Sequence, residues 1–291
     1  MRNTGPILTV VAAILALWYV AAIPLNAPWA YDKAQRAGIE LSASDLVADT
    51  WSQDKPKLPA PHQVAVEIWD TTGAMVLKGR GFSKRSLIYH AWVTFSATML
   101  GFLLGTGLGI LLAVGIVHNR TMDRSVMPWV IASQTVPIIA IAPMIIVVLN
   151  AIGISGLLPK AMISMYLSFF PVVVGMVKGL RSPDAMQLDQ MRTWNASRVQ
   201  TFRYLRLPSS MPYFFTSLKI AMAASLVGAI IGELPTGAVA GLGARLLAGS
   251  YYGQTVQIWS ALLMAALLAA ILVGIIGAVQ RLALARMGMG R

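Results

Sequence analysis

Six stretches of this chain are apolar, nearly free of charge and long enough to cross a bilayer. That pattern constrains its fold more than any other feature. A helix needs about 20 mostly apolar residues to span the hydrocarbon core. The candidate spans are residues 7–25, 91–117, 128–149, 161–178, 213–234 and 259–279. The first could be taken for a secretory leader, but its apolar run is long and no clear Ala-x-Ala site follows, so it is read as an uncleaved helix. Backbone polar groups inside a bilayer must be satisfied within the segment, so these stretches are expected to be helices. The fold class expected is an all-α membrane protein of six transmembrane helices.

Composition agrees. Hydrophobic residues make up 57% of the 291 and charged residues 12%, against roughly 25% charged in soluble domains. Too few charges remain to coat a soluble particle, which argues against a soluble enzyme, a disordered tail or a coiled coil. The formal net charge of +12 would suggest nucleic acid in a soluble protein. In a membrane protein, Lys and Arg gather in cytosolic loops. Six spans put both termini on one side. With that side cytosolic, 12 of the 23 basic residues fall in cytosolic segments. The short outer turns then hold only Lys160 and Arg245. Lys78, Arg80, Lys84 and Arg85 crowd the outer end of the second span against this trend, but long segments translocate largely regardless of charge. Both termini are therefore expected in the cytosol and no nucleic acid is expected as a partner. The chain has no Cys, so disulfides and thiol chemistry are excluded and the redox compartment stays open.

Residues 32–85 carry eight basic and seven acidic residues, broken by Pro56, Pro59 and Pro61. This reads as an aqueous segment in which Val64–Leu77 forms a short amphipathic helix on the membrane surface. Thr121–Arg124 reads as a polar turn, and Asn150, Gly153, Ser155 and Gly156 as a turn after the third span. Residues 233–254 read as a Gly-rich loop. Pro128, Pro137, Pro143 and Pro171 fall in or beside spans, where each removes a backbone donor and bends a helix. Two prolines in the third span favour a functional kink there; ordinary tolerance of Pro is the bland alternative. Gly101, Gly105 and Gly109, and Gly228 and Gly232, repeat at four-residue spacing and allow helix backbones to approach closely. No internal repeat is evident, so an inverted-repeat transporter lacks its signature.

The most specific segment is the polar stretch 181–208. Ser182 is placed to cap a helix that begins at Pro183, with Asp184 and Asp189 in early turns, where the helix dipole favours anions. Asn195 stands where that helix must stop, and Asn tolerates the left-handed conformation of a C-terminal cap. Ser197 and Gln200 form a capping box for a second short helix, expected to end before Pro208. The segment thus reads as two short, firmly capped helices joined by a sharp turn.

Asp189-Gln190-Met191, then Arg192-Thr193-Trp194, then Asn195, and after nine intervening residues that begin with Ala196, Leu205-Arg206-Leu207-Pro208, match the spacing of a known motif. The chain resembles the integral membrane subunits of binding-protein-dependent ABC importers. Their loop carries an acidic residue and two alanines, then three residues and a glycine, then nine residues and an apolar-x-Leu-Pro ending. Gln190-Met191 replaces the alanines and Asn195 the glycine. Leu58–Pro61, Pro137, Pro143, and Glu233 with Gly241-Leu242-Gly243 are similar to the branch importing alkanesulfonates, taurine, nitrate or pyrimidine precursors. Gly232–Gly237 looks like permeases linked to pyrimidine or hydantoin breakdown.

The resemblance implies a multi-pass subunit of a bacterial inner (cytoplasmic) membrane. It implies an N-terminal transmembrane helix (1–30), a periplasmic segment (31–88) and a five-helix permease core (89–285), with a cytosolic coupling loop at 181–212. It also implies a cytosolic ABC ATPase dimer docking on that loop, a second permease subunit (self or homologue) and a periplasmic solute-binding protein, with the lipid bilayer as surroundings. The coupling residues would be Asp189, Gln190, Met191, Thr193, Trp194, Asn195, Ala196, Leu205, Leu207 and Pro208. No cofactor is expected in the chain itself. It lacks the Gly-x-x-x-x-Gly-Lys-[Ser/Thr] motif, so ATP belongs to the partner.

Ser133, Gln134, Pro137, Pro143, Asn150 and Glu233 are the candidates for the translocation pathway. Glu233 is a functional candidate as an acid near a span, against a solvated helix end. Ser133, Gln134 and Asn150 could equally make hydrogen bonds between helices. Arg198, Arg203 and Arg206 could meet the ATPase or anionic lipid, or simply mark the cytosolic face. His62, His90 and His118 are too scattered for a metal site. Anion selection would call for basic groups deep in a span, and none is assigned there. Two other classes remain open. An ATP-independent secondary transporter or channel explains the composition but not the loop, and an intramembrane enzyme would need converging reactive groups, of which only Glu233 is available.

Overall fold

The computed structural model describes residues 4–235 and 240–289. Arg2, Arg291 and the Thr236-Gly237 end of the motif above lie outside them. Among the described residues all regular structure is helical, with five helices long and apolar enough to cross a membrane, or six spans if one bent pair is counted.

Helix α1 (Thr4–Ala37) continues past the expected Leu25 end of the first span. Three short helices follow: α2 (Ala43–Ser52), α3 (Pro61–Thr71) and α4 (Gly73–Leu77). The single amphipathic helix expected over Val64–Leu77 is thus two helices, broken at Thr72, and α2 is an addition. Helix α5 (Leu87–His118) is the second span.

The third span departs most from expectation. It is not one straight helix over 128–149 but α6 (Arg120–Ala132), a 3-10 turn at Ser133–Thr135 and α7 (Ile138–Ala151), bent by 100°. Proline excludes its predecessor from the helical region, and Val136 is accordingly extended (φ −84°, ψ 121°). Pro143 lies within α7 and Pro128 within α6 without such a break. Thr121–Arg124 is helix rather than turn, because the Asn119 side chain caps α6, accepting from the Thr121 and Met122 N–H groups at 2.8 and 3.3 Å.

The turn after α7 forms as expected, with Gly153 and Gly156 at positive φ. Helix α8 (Leu157–Leu180) is the fourth span. Next come α9 (Ala185–Thr193) and α10 (Arg198–Thr201), then a π-helical turn (Phe202–Arg206) leading directly into α11 (Leu207–Glu233). The second loop helix therefore does not stop before Pro208. A proline interrupts an α-helix because it lacks an N–H and its ring crowds the carbonyl four residues back. The wider turn, in which the Leu207 N–H reaches the Phe202 carbonyl, carries the helix past it. The Gly-rich stretch after α11 contains a further helix, α12 (Leu242–Tyr251), before α13 (Thr255–Arg286).

The chain forms two compact units: residues 1–91 with 244–265, and 92–243 with 266–291. In the first, Asn26 is buried between Pro24 and Pro28 of α1. Its amide donates to the carbonyls of Thr50 (3.0 Å) and Leu58 (2.8 Å), and its oxygen accepts from the Lys57 and Leu58 N–H groups (2.8 and 3.1 Å). One side chain thus satisfies the backbone of an otherwise irregular linker, as buried polar groups require. Trp18 adds a bond to the Pro59 carbonyl at 2.9 Å and packs on Trp259 with ring centres 4.8 Å apart. Lys33 pairs with Asp49 at 2.8 Å; its hydrogen bond holds the Asp49 carboxyl below the ordinary carboxylate range. The outward face of α1, including Ile7, Leu8, Ile14 and Leu17, is exposed, as a lipid-facing surface should be.

In the second unit the glycine spacing has a direct counterpart. A side chain at Gly101, Gly105 or Gly109 of α5 would collide with Ser164, Ser168 or Val172 of α8, at 2.4, 2.1 and 2.7 Å. The two four-residue ladders therefore run side by side. Gly228 and Gly232 of α11 meet Ser164 and Lys160 in the same way. At this junction Ser164 donates to the Ser225 carbonyl and Ser225 to the Thr98 carbonyl, both at 2.8 Å. Small residues and hydroxyl bonds hold membrane helices where lipid removes the usual hydrophobic drive. A buried apolar cluster that includes Phe102, Ile116, Phe169, Met176, Leu180 and Met222 continues the packing.

Candidate functional site

The loop between α8 and α11 is built from reciprocal caps. Asp184, not Ser182, is the N-cap of α9. Its carboxylate accepts from the Gln187 N–H at 2.8 Å while the Gln187 side chain accepts from the Asp184 N–H at 3.2 Å. Pro183 consequently lies before the helix, not in it. Two features fit expectation closely. Asn195 is left-handed at φ 49°, the one such non-glycine among the described residues, and the Ala196 N–H closes the turn on the Met191 carbonyl at 2.9 Å. Ser197 and Gln200 form the second capping box, at 3.2 and 2.7 Å.

The loop is also tied down. Arg206 donates to the Leu180 carbonyl at 3.2 Å, and Arg181 pairs with Asp123 of α6 at 2.9 Å. Arg206 is therefore an internal anchor. What the loop leaves outside is unusual for a polar segment. Met186 is 80% exposed, Trp194 67% and Val199 73%. Asp189 pairs with Arg192 at 2.8 Å, Gln190 is exposed, and Met191 and Ala196 are half-buried. Thr193 bonds back to the Asp189 carbonyl at 3.0 Å. Leu205, Leu207 and Pro208 are half-buried in the helix that leads into α11. A cavity of about 490 Å³ lies behind α9, lined by His118, Leu188, Arg192, Ala196, Arg198 and Arg206 among others.

Glu233 is the opposite kind of site. It is wholly buried, which corrects the solvated helix end. Thr94 donates to both carboxylate oxygens (2.9 and 3.0 Å) and the Gly243 N–H to one (2.8 Å). The Lys160 ammonium stands 4.0 Å away and donates to the Ala240 carbonyl at 3.2 Å. The Thr94 hydroxyl in turn accepts from the Leu242 N–H at 2.8 Å. Gly241 (φ +126°) and Gly243 are required here, since a Cβ would fall 2.2 Å from the Glu233 carboxyl carbon and 2.8 Å from its Cβ. The carboxylate thus fastens the start of α12 to α5, α8 and α11.

The remaining pathway candidates are not gathered around Glu233. Ser133 and Gln134 bond to one another at 3.3 Å at the bend, where Tyr166 also donates to the Ser133 carbonyl. Pro137, Pro143 and Asn150 lie on exposed parts of the bent pair. His62, His90 and His118 bond to Tyr19, Lys84 and Val114, and among the described residues no cluster could hold a metal ion. Sequence reasoning missed Met186, the Thr94–Lys160 setting of Glu233, and Lys219. The last lies midway along α11, so a basic residue does stand deep in a span. Its signal was plain in the sequence: one cation in an otherwise uncharged run.

The described residues thus make a helical protein of several candidate membrane spans with a stiff, exposed polar loop. Comparison with known proteins makes this specific. The family described as "Binding-protein-dependent transport system inner membrane component" matches residues 105–288, and the chain belongs to it. It is a multi-pass inner-membrane permease subunit of an ABC importer for small solutes, a family whose members work with an ATPase and a binding protein. It is 32% identical over 186 residues to the formylaminopyrimidine transport permease protein ThiX of Halalkalibacterium halodurans, covering 64% of this chain and 68% of that one. It is 29% identical over 225 residues to the riboflavin transport system permease protein RibX of Chloroflexus aurantiacus (77% and 78%). The taurine transport system permease protein TauC of Escherichia coli is 24% identical over 186 residues, with 64% of each chain covered.

Proposed function

We propose that α9, with the turn at Asn195, is the surface on which the partner ATPase docks, and that the 181–208 segment passes the ATPase's motion to α11. The observation that carries this is the exposure of Met186 and Trp194 on a helix capped at its start, closed by a left-handed turn and anchored through Arg206 and Arg181. Large apolar side chains at the surface of a polar segment mark a contact site, and a helix that must transmit force has to be stiff. Asp189, Gln190, Met191, Thr193, Trp194, Asn195 and Ala196 belong to the contact, while Leu205, Leu207 and Pro208 belong to the connection with α11. Both termini then face the cytosol, residues 31–88 lie on the periplasmic side with the binding protein, and a second permease subunit completes the pathway. Ser133, Gln134, Pro137, Pro143 and Asn150 on the bent pair are the pathway residues this reading favours. The hydrogen bonds that Glu233 accepts from Thr94 and Gly243 give it a fastening role.

The solute inferred is a small polar one. Relatives are named for formylaminopyrimidine, riboflavin, taurine and nitrate, and the resemblance of the Glu233 segment to pyrimidine-linked permeases supports a pyrimidine-like compound. Titrating the cognate binding protein with aminopyrimidines, taurine and nitrate distinguishes these.

The docking test is co-purification. Buried aromatic anchors at interfaces contribute about 2 kcal/mol or more, so Met186→Ala with Trp194→Ala is expected to lower ATPase capture by the tagged permease more than about tenfold. Undiminished capture by the folded double variant would refute the assignment.

A further inference from the structure

We propose that a cavity in the second unit, bounded by α11 and the second half of α13, is a binding site for the phosphate headgroup of an anionic phospholipid. The cavity is open and holds about 910 Å³, lined among others by Lys219, Gly274, Gly277, Gln280, Arg281 and Leu284. It contains two cations and no carboxylate. Among the described residues neither Lys219 nor Arg281 forms an ion pair. Lys219 stands twelve positions into α11, about 18 Å along it. Within the apolar run of α11 an ammonium is costly unless it finds an anion or a polar partner.

The floor of the cavity is bare. A Cβ at Gly274 would meet nothing within 4 Å, and one at Gly277 would meet only the end of Lys219, 3.8 Å from its Nζ. These glycines differ from those of α5, which are needed for helix contact. Here the missing side chains leave room that no protein atom fills. The Gln280 side-chain oxygen is buried without a hydrogen-bond partner, so it awaits a donor. An anionic lipid headgroup such as phosphatidylglycerol offers both complements: a phosphate diester for Lys219 and Arg281, and a glycerol hydroxyl for Gln280. Basic pockets between membrane helices suit anionic headgroups in this way. Val273 and Leu284 supply apolar wall for the acyl chains. The site does not depend on how the loop couples to its ATPase.

The test is native mass spectrometry and thermal melting of the full-length permease in detergent. It is titrated in parallel with dioleoyl-phosphatidylglycerol, dioleoyl-phosphatidylcholine and inorganic phosphate. Phosphatidylglycerol is expected to bind and raise Tm, with the other two weaker. Removing each cation, Lys219→Gln or Arg281→Gln, is expected to weaken binding about fivefold, with Lys219→Arg retaining it. Gly274→Leu is expected to fill the floor and abolish binding with both cations in place. Equal binding of phosphatidylcholine, or phosphatidylglycerol binding unchanged in Lys219→Gln and Gly274→Leu, overturns the proposal. Protection by inorganic phosphate as strong as by the lipid would also overturn it, in favour of a free-anion site.

Discussion

The two ends of α11 are held in opposite ways. At its beginning the 181–208 loop is stiff chiefly through local caps, each made between residues three to five apart, with Arg206 and Arg181 as anchors, and its outward face is left free. At its end Glu233 is held by Thr94, 139 residues distant in sequence, and by Gly243 and Lys160, with nothing left free. Local capping builds a part that keeps its shape while it is pushed and while its surface stays available to a partner. A buried carboxylate shared among several helices builds a joint. Rigidity in the first is compatible with movement as a body. In the second it opposes movement between the elements it fastens.

The comparison can be broken first at the joint. Glu233→Ala leaves the Thr94 hydroxyl and the Gly243 N–H without their acceptor and the buried Lys160 ammonium without its counter-ion. Removing one member of a buried pair costs about 3–5 kcal/mol, so a marked fall in thermal midpoint in detergent is expected, and an unchanged midpoint would show that the joint bears no load. Gly241→Ala pushes a methyl group into the same carboxylate from a left-handed backbone position, with an expected cost of about 1–3 kcal/mol read by the same melt. In the loop the costs should be smaller and their readout different. Asn195→Val opposes the left-handed turn by about 1–2 kcal/mol, whereas Asn195→Gly should leave stability and ATPase capture intact. Asp184→Ala removes one cap at about 1 kcal/mol. It is expected to reduce transport per ATP hydrolysed in reconstituted vesicles more than it lowers the melting midpoint. An equal loss in both would mean that the loop is a structural element like the joint.

Much of this was legible in the residues because its causes are local. Span positions follow from apolar length, and Ser197–Gln200 and Asn195 act through neighbours within a turn. The four-residue glycine spacing of α5 is a helix-face pattern that any close partner must match. Other features depend on distance. Nothing around Glu233 names Thr94 or Lys160, so its burial could not be told from a solvated helix end. Ser182 and Asp184 are both good caps two residues apart, and the residues alone do not choose between them. Proline 137 announced a bend, but its 100° size depends on how α7 then packs. Proline 208 looked like a stop because a π turn is a rare way past one.

That turn has a mechanical consequence. Arg198 to Glu233 is one unbroken rod of 36 residues, about 54 Å long. Tilted by about 5° around one end, such a lever carries its far tip through about 5 Å. With the Glu233 end held at its joint, a displacement of that size at the loop end becomes only a slight rotation of the rod where it meets α5 and α8.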